Sequence, residues 1–226
     1  MPHRRREVSR VEGFSDAVFG FAVTLLVVSL EVPKTFDEML LMMRGFPAFA
    51  ASFATLFMIW WRHYRFFRRY DLEDTTVITL TGFLLFVILF YVYPLKFVWS
   101  TLFVQLMGGR LGADVLTREQ VPMLFEIYGV GAAAAYGLLA AMYWHAYRHR
   151  TALDLTPLEI IDTRIDILSN LSLALIGLLS AGSAVLFARW APNMAGLAGL
   201  VYFLIGFSEW ALGTYQGRLK KRVSAR

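Results

Sequence analysis

The sequence predicts an all-α integral membrane protein with six transmembrane helices per subunit and both termini cytoplasmic. Three observations lead there. The 226 residues are 58% hydrophobic and only 17% charged, more apolar surface than one soluble core of this size uses. The apolar residues gather into six stretches, each able to span about 30 Å of hydrocarbon as a helix of roughly 20 residues. The cations are also lopsided. With the N-terminus inside, sixteen of the 22 Lys and Arg residues face the cytoplasm, and only Lys34, Arg44, Lys96, Arg110, Arg118 and Arg189 lie outside.

The first span is read at about 11–32, behind the run His3-Arg4-Arg5-Arg6. No small-x-small cleavage site follows it, so it belongs to the mature protein, and Glu31-Val32-Pro33-Lys34 reads as its end. A second span at about 46–63 closes on Trp60-Trp61-Arg62-His63, and a third covers about 75–97. From Ser100 to Val121, with Gly108, Gly109 and Gly112, an external loop with a short helix is expected in preference to a re-entrant segment. The fourth span, about 122–145, holds Gly129, Gly131, Ala132 to Ala135 and Gly137, small residues that suit close helix packing. The run Tyr128-Gly129-Val130-Gly131 inside it is a poor match to a carbonyl-lined potassium filter.

Thr156 to Asn170 carries Glu159, Asp162, Arg164 and Asp166, and reads as a cytoplasmic lead into a fifth span at about 165–188. Asp166 and Asn170 stand one turn apart, able to face a neighbouring helix. The sixth span is placed at about 194–214. All six tryptophans fall near proposed span ends, where an amphipathic ring sits at the headgroup level. No duplication relates the two halves, which argues against an inverted-repeat transporter.

Several function classes drop out. There are no cysteines, so disulfides, thiolate metal sites and nucleophilic thiols are absent. His145 and His149 have helical i, i+4 spacing but no third ligand near them in sequence, so no metal or cofactor is expected. The basic residues form short runs beside apolar segments and not a continuous stripe, which excludes nucleic acid as a partner and leaves the lipid bilayer. No hydrolase triad, Walker loop or dinucleotide fingerprint is present, and the chain is not read as an enzyme.

The first helix raises the sharpest question, because Asp16 opens its apolar run. On a helical wheel Phe14, Ala17, Thr24, Leu25, Val28 and Val32 fall within about 60° of Phe21, whereas Ser15 and Asp16 lie roughly 120–140° away. A carboxylate near a membrane edge needs partners. The helix N-terminus favours an anion, and Trp60, Arg62 and His63 of the second span lie at the same depth. An interhelical polar lock is the plainer reading, and ion coordination by Asp16 the alternative.

At these residues a family resemblance appears. Arg10-x-x-x-Phe14-Ser15-Asp16, followed by Ala17-Val18-Phe19 and Thr24-Leu25-Leu26, resembles the signature that opens the first helix of the transmembrane protein 175 family of potassium channels. Trp60-x-x-His63 is similar to that family's W-x-x-H in the second helix. One such motif with six spans is the prokaryotic form, a single channel domain over residues 1–226.

The resemblance implies a homotetramer whose first helices line a central pore, without a carbonyl filter. It would pass potassium ions in the plasma membrane of a prokaryote. Carried over by position, the hydrophobic constriction is Phe21, Leu25 and Val28, the threonine linked to selectivity is Thr24, and Arg10, Phe14, Ser15, Asp16, Trp60 and His63 form the structural lock. Family members usually place isoleucine or leucine where this chain has Phe21, so four rings would crowd the axis. Thr24 either faces the ions or bonds back to the Gly20 carbonyl. Two other readings stand beside this one: a proton-coupled or other secondary ion transporter with Asp16 and His63 as a titrating pair, and a non-conducting scaffold.

Overall fold

The computed structural model describes residues 8–28, 33–106, 120–190 and 192–224, and they are nearly all helical. In chain order the helices are α1 (Arg10–Val28), α2 (Phe36–Arg44), α3 (Phe46–Tyr70), α4 (Thr75–Leu106), α5 (Gln120–Arg148), α6 (Pro157–Trp190) and α7 (Leu204–Ser224). A 3₁₀ segment, Pro192–Phe203, leads into α7. Among the described residues, α4, α5 and α6 are long and apolar enough to cross a membrane. The pair α2 and α3, bent by 45°, makes a fourth such element if counted as one span.

Helical structure covers the described part of each of the six apolar stretches, but several boundaries follow capping. The second span was expected to end at residue 63, yet α3 continues two turns to Tyr70. Those turns bury Phe66, Phe67 and Tyr70 on one side while Arg65, Arg68 and Arg69 take the other. Asp71 ends the helix in the left-handed region at φ 48°, where a short polar side chain is tolerated. The fifth span was expected from about residue 165, but α6 begins at Pro157. Thr156 and Glu159 form a reciprocal capping box: the Thr156 amide donates to Glu159 Oε2 at 2.8 Å and the Glu159 amide to Thr156 Oγ1 at 3.3 Å. The acidic lead is therefore helical throughout.

A related cap starts the amphipathic α2, which the sequence reading had not separated from its surroundings: the Glu38 amide donates to Thr35 Oγ1 at 3.2 Å, and the Glu38 carboxylate accepts from the Lys34 amide at 2.6 Å. At the other end of α4, the helix runs through Ser100 to Leu106, into the stretch expected to be an external loop. Gly108, Gly109 and Gly112 lie outside the described residues. The last span also differs: the single helix expected at about 194–214 is 3₁₀ as far as Phe203 and α-helical only from Leu204 to Ser224. The 3₁₀ segment is held by contacts that include Ser180 Oγ donating to the Ala198 carbonyl at 3.1 Å, Gly199 lying against the Phe125 ring and Tyr202 packing edge-on against Tyr128.

Packing is tightest between α5 and α6, where a Cβ on Gly177 would stand 2.6 Å from the Gly129 carbonyl and one on Gly129 would collide with the Gly177 carbonyl. Gly129 and Gly177 thus serve backbone approach. Gly131 meets the Tyr91 ring of α4 in the same way. Leu84, Ile88 and Leu95 of α4, Leu139 and Met142 of α5, and Leu56, Ile59 and Phe66 of α3 fill the core against α1. Phe83, Phe86 and Phe90 of α4 are exposed on the outside of the single chain.

Candidate functional site

Helix α1 divides sharply by face. Glu12, Ser15, Phe19, Ala22 and Leu26 are buried, the last three within the core against α3 and α4. Opposite them Gly13, Phe14, Ala17, Gly20, Phe21 and Thr24 are exposed, with Phe14 and Phe21 open to 64% and 57%. Leu25 stands on the flank of that stripe, half-buried against the core. The helix is described as far as Val28, whose side chain lies outside the described residues, as does Val32.

Thr24 bonds to its own helix, though not as expected. Its hydroxyl donates to the Phe21 carbonyl at 2.7 Å and not to that of Gly20. The oxygen keeps its acceptor lone pairs, and the side chain is exposed.

Of the residues read as a lock, one pair is joined directly. Trp60 Nε1 of α3 donates to Asp16 Oδ1 at 2.7 Å, so the carboxylate at the mouth of α1 is satisfied across 44 positions of sequence. Ser15 spends its hydroxyl on the Val11 carbonyl of its own helix at 2.7 Å. His63 is buried, its ring 5.8 Å from Phe19 and 4.9 Å from Phe67, with neither ring nitrogen hydrogen-bonded among the described residues. It packs α3 to α1 as a ring and, among the described residues, forms no hydrogen bond with Asp16. Arg10 and Phe14 are exposed and stand apart from the lock in the single chain.

Arg62, expected as a partner of Asp16, turns the other way. Its guanidinium meets Ser169 at 2.8 Å, Asn170 at 3.4 Å and Glu209 at 3.3 Å, tying α3 to α6 and α7. Arg65 and Arg69 both pair with Asp166, whose one-turn neighbour Asn170 donates to the Asp166 carbonyl at 2.8 Å. Asp166 and Asn170 therefore do face a neighbouring helix. Gln216 and Lys220 of α7 reach Asp162, each at 2.6 Å. This network lines a small polar cavity of about 140 Å³.

Two features escaped the sequence reading. Lys96 of α4 sends Nζ to the Leu26 carbonyl at 3.2 Å, placing a cation at the end of the described α1. Along α3, Phe49, Phe53, Phe57, Trp60 and Tyr64 stack in succession with centroid separations between 5.2 and 6.4 Å. The i, i+4 and i, i+3 spacing of those aromatics was visible in the sequence. A groove of about 380 Å³ runs between this ladder and α1, lined by Asp16, Phe19, Gly20, Phe53, Phe57 and Trp60 among others.

Comparison with known proteins adds independent information. Residues 10–91 match the family model described as endosomal/lysosomal potassium channel TMEM175. A potassium channel of Marivirga tractuosa is 39% identical over 210 residues, covering 89% of this chain and 84% of the relative. A potassium channel of Chamaesiphon minutus is 32% identical over 96 residues, 39% of this chain and 47% of the relative. Among solved structures, a variant of the potassium channel MtTMEM175, crystallised in complex with a nanobody–MBP fusion protein, superimposes with a TM-score of 0.82 at 36% identity. The match covers 96% of this chain and 97% of that one.

Proposed function

The chain belongs to the TMEM175 family of potassium channels, and from that premise we propose that it conducts potassium through a hydrophobic constriction formed by the first helix. Four copies assemble around a central axis, each contributing the exposed stripe of α1. Each subunit crosses the plasma membrane of a prokaryote six times with both termini inside. No carbonyl filter takes part.

One observation carries this reading: the face of α1 left open by its own subunit is apolar and centred on Ala17, Phe21 and Thr24, while the opposite face is anchored by Asp16, Trp60 and Lys96. A helix held that firmly on one side presents the other in a fixed rotation. Gly13, Ala17 and Gly20 on the open face leave room for equivalent helices to converge. Four Phe21 rings then form the narrow layer, with Leu25 and Val28 extending it along the helix. In such a layer an ion passes only when the pore wets, so ring size sets the conductance. Thr24, its donor committed to the Phe21 carbonyl, offers only acceptor oxygen to a partly dehydrated potassium ion.

Flux in reconstituted liposomes tests the reading. Phe21→Ala is expected to raise potassium flux several-fold over the unmodified chain, with potassium still preferred to sodium. Unchanged flux on truncating Phe21 sinks the constriction, and no flux from either protein favours the scaffold reading.

A further inference from the structure

Away from α1, three metal-ligating side chains converge where α4 begins and α5 ends. Asp74, His145 and His149 each place one ligand atom within 4.8 Å of the other two. Nothing near the two histidines in sequence supplies a third ligand, but the fold brings one from 71 positions away, with His145 Nε2 at 2.5 Å from Asp74 Oδ2. The rings of His145, in the last turn of α5, and His149, in the turn just after it, stand 4.4 Å from each other. All three groups have access to solvent, His149 most of all.

The surroundings orient the ligands. Asp74 Oδ1 accepts from the Val77 amide at 2.9 Å, capping α4 and leaving Oδ2 for the cluster. His149 Nδ1 lies 3.0 Å from the His145 carbonyl; an N–H donated there leaves the Nε2 lone pair free to bind a metal. Burial works against the charge on Asp74, but the His145 hydrogen bond, the Val77 amide and the neighbouring imidazoles outweigh it and hold the carboxyl below its ordinary range. A bare Asp–His hydrogen bond gives His149 no part.

We propose that Asp74, His145 and His149 form a binding site for a divalent transition-metal ion of the zinc class, with a remaining position open to water. Two imidazoles and one carboxylate suit zinc or its first-row neighbours, whereas calcium and magnesium favour oxygen-rich sets. Metal bonds near 2.0–2.1 Å set tetrahedral ligand atoms about 3.4 Å apart. Loading therefore spreads the Asp74–His145 contact by about 1 Å and draws the more distant ligand inward. The ion replaces the proton on His145 Nε2, which leaves to solvent. The loaded site clamps the first turn of α4 to the last turn of α5.

Cobalt(II) titration of the purified, untagged full-length protein in detergent tests the site through visible d–d absorption. One Co²⁺ per subunit, displaced by Zn²⁺, is expected. His149→Ala and Asp74→Asn should each weaken binding by at least about tenfold, while His3→Ala leaves it unchanged. Asparagine preserves the cap at position 74, and His149 is exposed, so matching melting temperatures of the metal-free proteins establish that both variants fold. Absence of the cobalt absorption overturns the proposal. So does undiminished binding in either ligand variant, or loss of binding in His3→Ala.

Discussion

At the scale of single residues, the hydrogen bond from Trp60 to Asp16 sets the rotation of α1. Trp60→Phe keeps an aromatic ring in the ladder and removes only the donor. The variant is expected to lose about 1–3 kcal/mol of stability, the cost of leaving a partly buried carboxylate without its partner. Repeating the substitution in an Asp16→Ala background should recover most of that loss, and thermal melting of the four proteins in detergent measures the coupling. This pair was legible in the sequence because both residues lie at one depth on adjacent spans. Arg62 lies at that depth too, and hydropathy does not show that Glu209, Ser169 and Asn170 claim it first. Asp74 and His145 were illegible as a pair for the same reason: nothing local links residues that far apart.

Among the elements, α5 and α6 depend on one point of backbone approach. Gly129→Val drives a branched side chain into the Gly177 carbonyl, and a loss of about 1–3 kcal/mol or more is expected, read as a lowered melting temperature. Gly137→Ala on the same helix meets nothing within 4 Å and should be neutral or slightly stabilising. Equal melting of the two variants would refute this assignment of the tight contact. The sequence reading found these helices through their apolar runs but misplaced the ends of α3, α4 and α6, and mistook the 3₁₀ segment for α-helix. Hydropathy marks where a helix can lie in lipid, whereas caps mark where it stops. The Thr156-Pro157-Leu158-Glu159 box was plain in the sequence, yet the charges after it drew the boundary eight residues late.

For the whole molecule, topology is the decisive expectation. The chain has no cysteine, so a single introduced thiol reports its own side of the membrane. Gly217→Cys, at an exposed position near the end of α7, should resist a membrane-impermeant maleimide on intact cells and react once the inner face is opened. Lys34→Cys, after α1, should react from outside. The reverse pattern would invert the proposed orientation. Helix α6 adds a consequence of plain length. Its 34 residues rise about 51 Å against roughly 30 Å of hydrocarbon. Four of its five charged residues, Glu159, Asp162, Arg164 and Asp166, crowd the N-terminal end, so in the proposed topology the surplus stands there as a pillar clear of the lipid. The Arg65, Arg69 and Asp166 contacts brace that pillar against α3. The N-terminal end of α6 is thus tied to α3 and α7 through helix turns and not through loops. A loop can be shortened without disturbing what it connects; shortening a pillar unseats every brace fixed to it.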